Sequence, residues 1–399
     1  STHAGTFYEY LAQRIKSRRR KAVKKQAVHY FDYSLLAIII FLMCFGLVML
    51  YSISSYEART EYGDGMYFLK RQGLIGLGSI AVMMWVSRLD YHMFSKYAAM
   101  SYWGSMLLLA LVKFTPLGIE VNGARRWFRL PANQSFQPAE IMKIAVIIFI
   151  PYLICRMGNK VHTLKGSLGV VEWGGLAALG VYVLTDNLSS AIIVMGISCC
   201  ILFVVHKKQK IFLWIAGGGL AVFVAGSYIL GRLLENSTSF RLRRIIAWLN
   251  PEKYASTISF QTVQGLYAIG SGGFFGKGLG NGVQKTVIPE VQNDMILSAI
   301  CEELGVFGAI IILVLFGLLI YRLLFIAQNA PDLYGAQIMT GIMSHIAIQV
   351  ILNVMVVTNM MPNTGITLPF ISYGGTSILF LMIEMGMALG ISRRIKLEG

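Results

Sequence analysis

Residues 296–321 read ILSAICEELGVFGAIIILVLFGLLIY. From Leu304 to Tyr321 no residue is charged, which meets the roughly 18-residue minimum for a helix that crosses a bilayer. Glu302 and Glu303 stand side by side at its start, and a carboxylate inside a membrane is by default a functional-site hypothesis. The rest of the chain follows the same pattern. Of 399 residues, 56% are hydrophobic and 14% are charged, whereas a soluble domain carries about a quarter charged residues. A soluble enzyme, a disulfide-stapled secreted domain and a disordered tail are excluded.

Ten apolar stretches fit spans, at about 34–54, 73–87, 98–114, 139–156, 167–184, 188–205, 211–231, 296–321, 335–358 and 376–391. Dense apolar runs without period-2 alternation predict an all-α polytopic membrane protein and not a barrel. Three units are expected: a basic tail over 1–33, a transmembrane domain over 34–392 and a short tail over 393–399. The first apolar run begins only at Ser34, so no cleavable leader is expected and residue 1 is taken as a processing boundary.

Loop charge sets the orientation. The N-terminal tail, Arg88, Lys96, Arg156, Lys160, Lys165, Lys207, Lys208, Lys210, Arg322, Arg393 and Arg394 fall on one side of a ten-span arrangement. That side is predicted to be cytoplasmic, with both termini inside and a large outer loop over 232–295 between the seventh and eighth spans. The net charge of +16 then belongs to a membrane surface or a phosphorylated lipid, and no nucleic-acid partner is expected. The five cysteines lie in or beside apolar segments without C-x-x-C spacing and read as buried hydrophobes. No H-E-x-x-H occurs, and no protein metal cage is expected.

The outer segments break the charge rule. Arg125, Arg126 and Arg129 lie in one, and Arg243, Arg244, Lys253, Lys277 and Lys285 in the large one. Such clustering suits a solvated loop face or a site where guanidinium groups grip phosphate oxygens. Gly270–Gly282 resembles a phosphate loop but lacks Walker A spacing, and reads as a mobile or re-entrant loop. Pro138 opens the fourth span, with Glu140 and Lys143 on one face at i,i+3. These two either pair with each other or form a charged cradle at the outer mouth. Ser377, at the start of the last span, offers helix N–H groups to an anion or serves as a plain N-cap. Glu290 and Asp294 mark the entry to the eighth span. At 100° per residue Glu302 lies about 80° from Asp294 and about 12 Å deeper, so it is expected to line the same cavity, with Glu303 turned to another helix. Glu303 and Glu384 are expected to make structural hydrogen bonds.

Several segments, in order, resemble the SEDS family (shape, elongation, division and sporulation), whose members include FtsW, RodA and SpoVE. They are Gly46–Ser52, Gly123–Trp127, Gln137–Glu140 with Lys143, Phe240–Arg244, Gly270–Gly280, Pro289-Glu290, Glu302–Gly305 and Pro362–Ser377. Ile366–Tyr373 looks most like the FtsW/SpoVE branch. The resemblance implies a multi-pass protein of the bacterial cytoplasmic membrane that polymerises lipid II into glycan strands on the outer face. It implies inversion at the donor sugar and undecaprenyl pyrophosphate as leaving group. The implied partners are lipid II, the nascent glycan strand, membrane lipids, a class B penicillin-binding protein and other divisome proteins. No cofactor is certain; a divalent cation (Mg or Mn) accompanying the pyrophosphate is allowed. The competing readings are a lipid II translocase, with Glu302, His345 and Glu384 lining a path, and a non-catalytic scaffold.

For the site, Asp294 is the expected general base. Trp127, Arg126, Glu140, Lys143, Arg243, Arg244, Lys277, Glu290 and Ser377 are the expected substrate contacts. Two departures from the family text stand out: Asn187 where an Asp is usual, and Gln292-Asn293 before Asp294 where His-Thr is usual.

The orientation predicts that a cysteine introduced near Asn236 is labelled from outside intact cells, whereas one at Lys208 is not. Labelling of both from one side would overturn it.

Overall fold

The structure, a computed structural model, describes residues 30–121, 124–130, 134–210 and 240–396, with scattered positions between 211 and 239. Among the described residues the helices are α1 (Tyr33–Tyr62), α2 (Tyr67–Val86), α3 (Tyr91–Phe114), α4 (Pro138–Met157), α5 (Leu164–Thr185), α6 (Leu188–Val205), α7 (Phe240–Leu249), α8 (Phe260–Gly272), α9 (Ile296–Asn329), α10 (Leu333–Val357) and α11 (Ser377–Ser392). Seven helices in the described residues are long and apolar enough to cross a membrane, and α11 is a shorter apolar helix. The chain is a helical, polytopic membrane protein. Nine of the ten expected spans coincide with a helix. The seventh, 211–231, and the tail over 1–29 lie outside the described residues.

α4 and α10 form the centre. Both are buried on most sides, and their apolar residues join those of the surrounding helices in one continuous core. Polar caps tie the helix ends together at the end of the bundle that carries Tyr33. Asp32 caps α1 through Leu35 N–H and also pairs with Arg322 of α9 at 2.7 Å. Asp332 caps α10 and accepts from Tyr91 of α3 at 2.8 Å.

The segment after α3 departs from the all-helical expectation. It holds a three-stranded antiparallel sheet: β1 (Gly118–Val121), β2 (Ala124–Leu130) and β3 (Gln134–Phe136). Phe128 and Phe136 stack across it, Phe136 reaches Phe380, and Thr376 donates to Ser135 O at 2.8 Å, so the sheet is fastened to the start of α11.

α9 is broken at Gly305, which has φ 72° and ψ −178°. A break there leaves the carbonyls of Glu302 and Glu303 and the N–H groups of Val306 and Phe307 without helical partners. In a water-poor setting each such group must be satisfied by protein. The segment after α8 satisfies all four. Lys277 N–H and Gly278 N–H donate to Glu302 O and Glu303 O, both at 2.9 Å, and Val306 and Phe307 donate to Gly273 O and Phe274 O, both at 3.0 Å. α8 therefore runs down beside α9, and Gly273–Gly282 turns back at the depth of the break. The Gly-rich segment has the fold-back shape of a re-entrant loop, and backbone hydrogen bonds pin it to α9.

This approach leaves no room for side chains. A Cβ on Gly305 would lie 2.2 Å from Phe274 O, and one on Gly276 (φ +79°) would lie 2.2 Å from Glu303 O. Gly305→Ala combines that overlap with a left-handed backbone, which alone costs about 1–3 kcal/mol. It is expected to lower the thermal unfolding midpoint in detergent well below wild type. Gly317→Ala, further along α9 in open space, is expected to leave the midpoint unchanged or to raise it, since Ala favours a helix interior by up to about 1 kcal/mol.

Candidate functional site

At the end of the bundle that carries the sheet and the re-entrant segment lies a cavity of about 860 Å³. That is at the upper end of small-molecule sites. Four chain segments build its walls: the end of α1 with the start of α2, the β2–β3 region with α4, the stretch from Lys285 to Asn293, and Gly365–Ser377.

Its floor is the Glu140–Lys143 pair of α4. The two meet at 2.8 Å, with their side chains 10% and 3% exposed. Pro138 at the first helical turn places Glu140 near the N-terminal end of the dipole, where a carboxylate is favoured. The two residues pair with each other, and both line the cavity. Trp127, Glu290 and Ser377 also line it. So does Asn187, whose side chain accepts from Ser190 N–H and caps α6, keeping the capping role an Asp would have.

Asp294 lies directly after this wall. Its neighbours Gln292 and Asn293 line the cavity, while Asp294 itself is 9% exposed and is not among the lining residues. Asn353 of α10 holds the Asp294 carbonyl at 2.9 Å. Burial raises the carboxyl above the ordinary Asp range, and the charge of Glu290 adds to that. Its own backbone N–H, Arg244 and the side chain of Asn363 work the other way.

Arg244 occupies the far side of Asp294. It lines a separate small cavity of about 140 Å³ together with Asn363, to whose carbonyl it donates at 3.2 Å. Burial and then Arg126 press its pKa down, and Asp294 opposes them. Arg244 is thus a neighbour of the carboxylate and not part of the main cavity wall.

Other expected contacts are engaged elsewhere. Arg126 donates to Thr185 O and Asp186 O at the end of α5. Arg243 is exposed on α7. Lys277 pairs with Glu302 at 2.7 Å. Glu302 is fully buried and also accepts from Val283 N–H and Gln284 N–H, so it anchors the re-entrant segment and does not line the cavity. The angular argument failed because the chain before α9 folds back to the same depth and fills the space that Glu302 faces. Glu303 reaches α1 through Ser52 at 2.5 Å and holds Lys285 at 2.8 Å, which matches its expected turn to another helix. Glu384 meets His345 at 2.8 Å, both 1% exposed.

Lys285, one of the outer basic cluster, is held by Glu303 at the cavity wall. Other cavity residues were not singled out in the sequence: Arg71 reaches it from α2, donating to Tyr67 at 3.1 Å. Tyr62, Phe68 and Tyr373 form an aromatic wall, with Tyr67 stacked on Tyr62 at 3.9 Å and Phe68 edge-on to Tyr373 at 5.0 Å. Glu57 and Glu61 add carboxylates beside it.

With this geometry in hand, the comparisons with known proteins decide the family. A model for the cell cycle proteins FtsW, RodA and SpoVE matches residues 33–397. The chain belongs to the FtsW/RodA/SpoVE family. A probable peptidoglycan glycosyltransferase FtsW from Trichlorobacter lovleyi is 36% identical over 368 residues, which is 92% of this chain and 94% of that one. Stage V sporulation protein E from Bacillus subtilis is 36% identical over 91% of this chain and 97% of its own length. These relatives place the chain in the FtsW/SpoVE branch. A solved peptidoglycan synthase complex that coordinates polymerization and crosslinking superposes with a TM-score of 0.75 at 25% identity, covering 92% of this chain and 99% of that one. RodA from Thermus thermophilus shares the fold, with a TM-score of 0.65 at 24% identity over 92% of this chain and 98% of its own.

The raised Asp294 carboxyl has a consequence for stability. A group whose folded pKa exceeds its unfolded value of about 3.9 stabilises the fold below that pH and loses the contribution as pH rises through the folded value. Asp294→Asn removes this loss. Its unfolding midpoint relative to wild type is expected to shift in the variant's favour between pH 4 and pH 8. A difference that stays constant over that range would contradict the burial of a titrating Asp294.

Proposed function

We propose that this chain is a glycosyltransferase that polymerises lipid II into peptidoglycan strands at the outer face of the cytoplasmic membrane. The observation that carries the reading is the cavity itself. A buried Glu140–Lys143 pair, with Lys285 and Arg71 around it, forms a polar, cation-bearing chamber at the loop-rich end of an apolar bundle. The curated FtsW relatives carry the same activity in their names. The orientation expected from loop charge turns this end outward, where a lipid-linked sugar donor must be met.

The chemistry requires a proton acceptor, a cationic seat for the leaving group and exclusion of water. In the proposed reaction, the 4-hydroxyl of the acceptor GlcNAc attacks the anomeric carbon of the donor MurNAc. Its proton passes to Asp294, the configuration inverts, and undecaprenyl pyrophosphate leaves. A carboxylate raised by burial is nearer the operating pH and so a better base. Arg244 and Asn363 hold Asp294 from behind. Lys143, Lys285 and Arg71 face the pyrophosphate charge, and the tyrosine wall with Trp127 packs against sugar or lipid. Among the described residues no group of three or more His, Cys, Asp or Glu gathers to hold a metal. A Mg or Mn ion accompanying the substrate would therefore rest chiefly on phosphate oxygens. Glycan strands must be crosslinked, and the solved synthase complex supports a penicillin-binding protein as partner. The translocase reading has less support, since Glu302, His345 and Glu384 are buried in their own pairs and line no path into the cavity.

Purified protein in detergent, given lipid II with and without the transpeptidase, tests the reading, because translocation needs a sealed bilayer and polymerisation does not. Asp294→Asn is expected to fold and to polymerise at least about a hundredfold more slowly, the low end of a general base's contribution. Wild-type turnover by that variant would move the base to Glu290, which lines the cavity directly.

A further inference from the structure

One side-chain amide joins the two chain segments that meet at Asp294. Asn353 lies near the end of α10 and is fully buried. Its Nδ2 donates to two different segments, to the carbonyl of Asp294 at 2.9 Å and to the carbonyl of Ile366 at 2.7 Å. The reversed amide would set its oxygen against both carbonyl oxygens, so the surroundings fix which end faces them. Asn353 Oδ1 meets no donor among the described residues, and the hydrogen bonding of this side chain is all at its donor end.

Ile366 belongs to the Gly365–Ser377 wall of the main cavity. That wall is tied down at other points as well. Gln349, one turn earlier on α10, donates to Thr367 O at 3.0 Å, and its donor group serves Thr367 alone. Tyr373 N–H donates to Gln292 O at 2.9 Å, two residues before Asp294. Gln349 therefore holds the wall, whereas Asn353 holds the wall and Asp294 to each other. Asn353 is not among the residues that line the cavity, so a contribution to turnover must pass through its two partners.

We propose that Asn353 is a positioning residue, which sets Asp294 in register with the Gly365–Thr367 wall so that the carboxylate and the sugar bound against that wall keep one spacing. The proposal rests on Asp294 as the general base. A carboxylate takes a hydroxyl proton only within hydrogen-bond reach, and a displacement of about 1 Å can cost on the order of a hundredfold in rate.

A double-mutant cycle on lipid II polymerisation in detergent, with rates normalised to folded protein, tests this. Asn353→Leu keeps nearly the same shape and removes the donor. It is expected to lower kcat roughly ten- to a hundredfold with little change in KM, the signature of an interaction that matters in the transition state. In the Asp294→Asn background no base remains to be placed, and there the same substitution is expected to leave the residual rate within about twofold. Gln349→Leu, which loosens the wall but not Asp294, is expected to slow turnover by the same factor in both backgrounds. Asn353→Ser, shorter and with a single donor proton, is expected to show the same non-additivity and serves if Asn353→Leu does not fold. Equal losses from the Asn353 substitution in both backgrounds would mark a merely structural role and overturn the proposal, with Asp294 still the base. A loss confined to KM would assign Asn353 to the wall alone and overturn it too. Wild-type turnover by Asp294→Asn by itself would overturn the base reading and this proposal with it.

Discussion

The break in α9 at Gly305 is the constraint on which the site depends. A helix in an apolar surrounding cannot leave carbonyls and N–H groups bare. The four freed by the break bind the Gly273–Gly278 backbone, each at 2.9 or 3.0 Å. That fastens the descending α8, the turn and the ascending chain to one place on one helix. The ascending chain then emerges as the Lys285–Asn293 wall of the cavity and delivers Asp294 at the top of α9. Were α9 continuous, this segment would have no backbone partners at that depth.

Charge reinforces the same joint. Glu302 and Glu303 are consecutive, so they point to different sides of α9, and each gathers its own donors. Glu302 takes Lys277 and two backbone N–H groups of the ascending chain. Glu303 takes Ser52 of α1 and Lys285. A buried carboxylate carries a large desolvation cost, and removing one partner of a buried pair typically costs about 3–5 kcal/mol. The two glutamates therefore set the position of the re-entrant segment more than they contribute net stability. Lys285 belongs to this scaffold and to the cavity wall: Glu303 holds its ammonium there, beside the space in which the leaving pyrophosphate is proposed to sit.

Around Asp294 the arrangement is layered. Glu290 and Asn293 face the cavity, Asp294 stands behind them, and Arg244 with Asn363 stands behind Asp294. The positive φ of Glu290, 49°, is an uncommon backbone state for a side chain of that size and marks the sharp turn that brings the chain from the wall to the helix. Burial lifts the Asp294 carboxyl, the charge of Glu290 adds to the rise, and the guanidinium of Arg244 limits it.

Much of this was legible from the residues alone. Apolar run length located the helices, because spanning a bilayer demands about 20 apolar residues whatever they pack against. The Glu140–Lys143 pair was legible because i,i+3 spacing puts two side chains on one helix face. The small sheet was missed, although Asn122-Gly123 is a hairpin signal. The surrounding helical pattern concealed it. Lys277, Arg126 and Arg244 fit the cavity by the place of their segments in the chain, and Glu302 by its angle from Asp294 on one continuous helix. Which way a loop cation turns depends on which backbone groups and carboxylates lie near it, and those come from segments far away in sequence. Arg71 and Tyr373 were overlooked for the same reason, since α1, α2 and Gly365–Ser377 meet only in the folded bundle. Composition and periodicity determine that this chain crosses a membrane and where its helices run, since those are local properties of solvation. Only the tertiary structure decides which charges face the cavity, because a buried charge takes whichever partner the packing brings within reach.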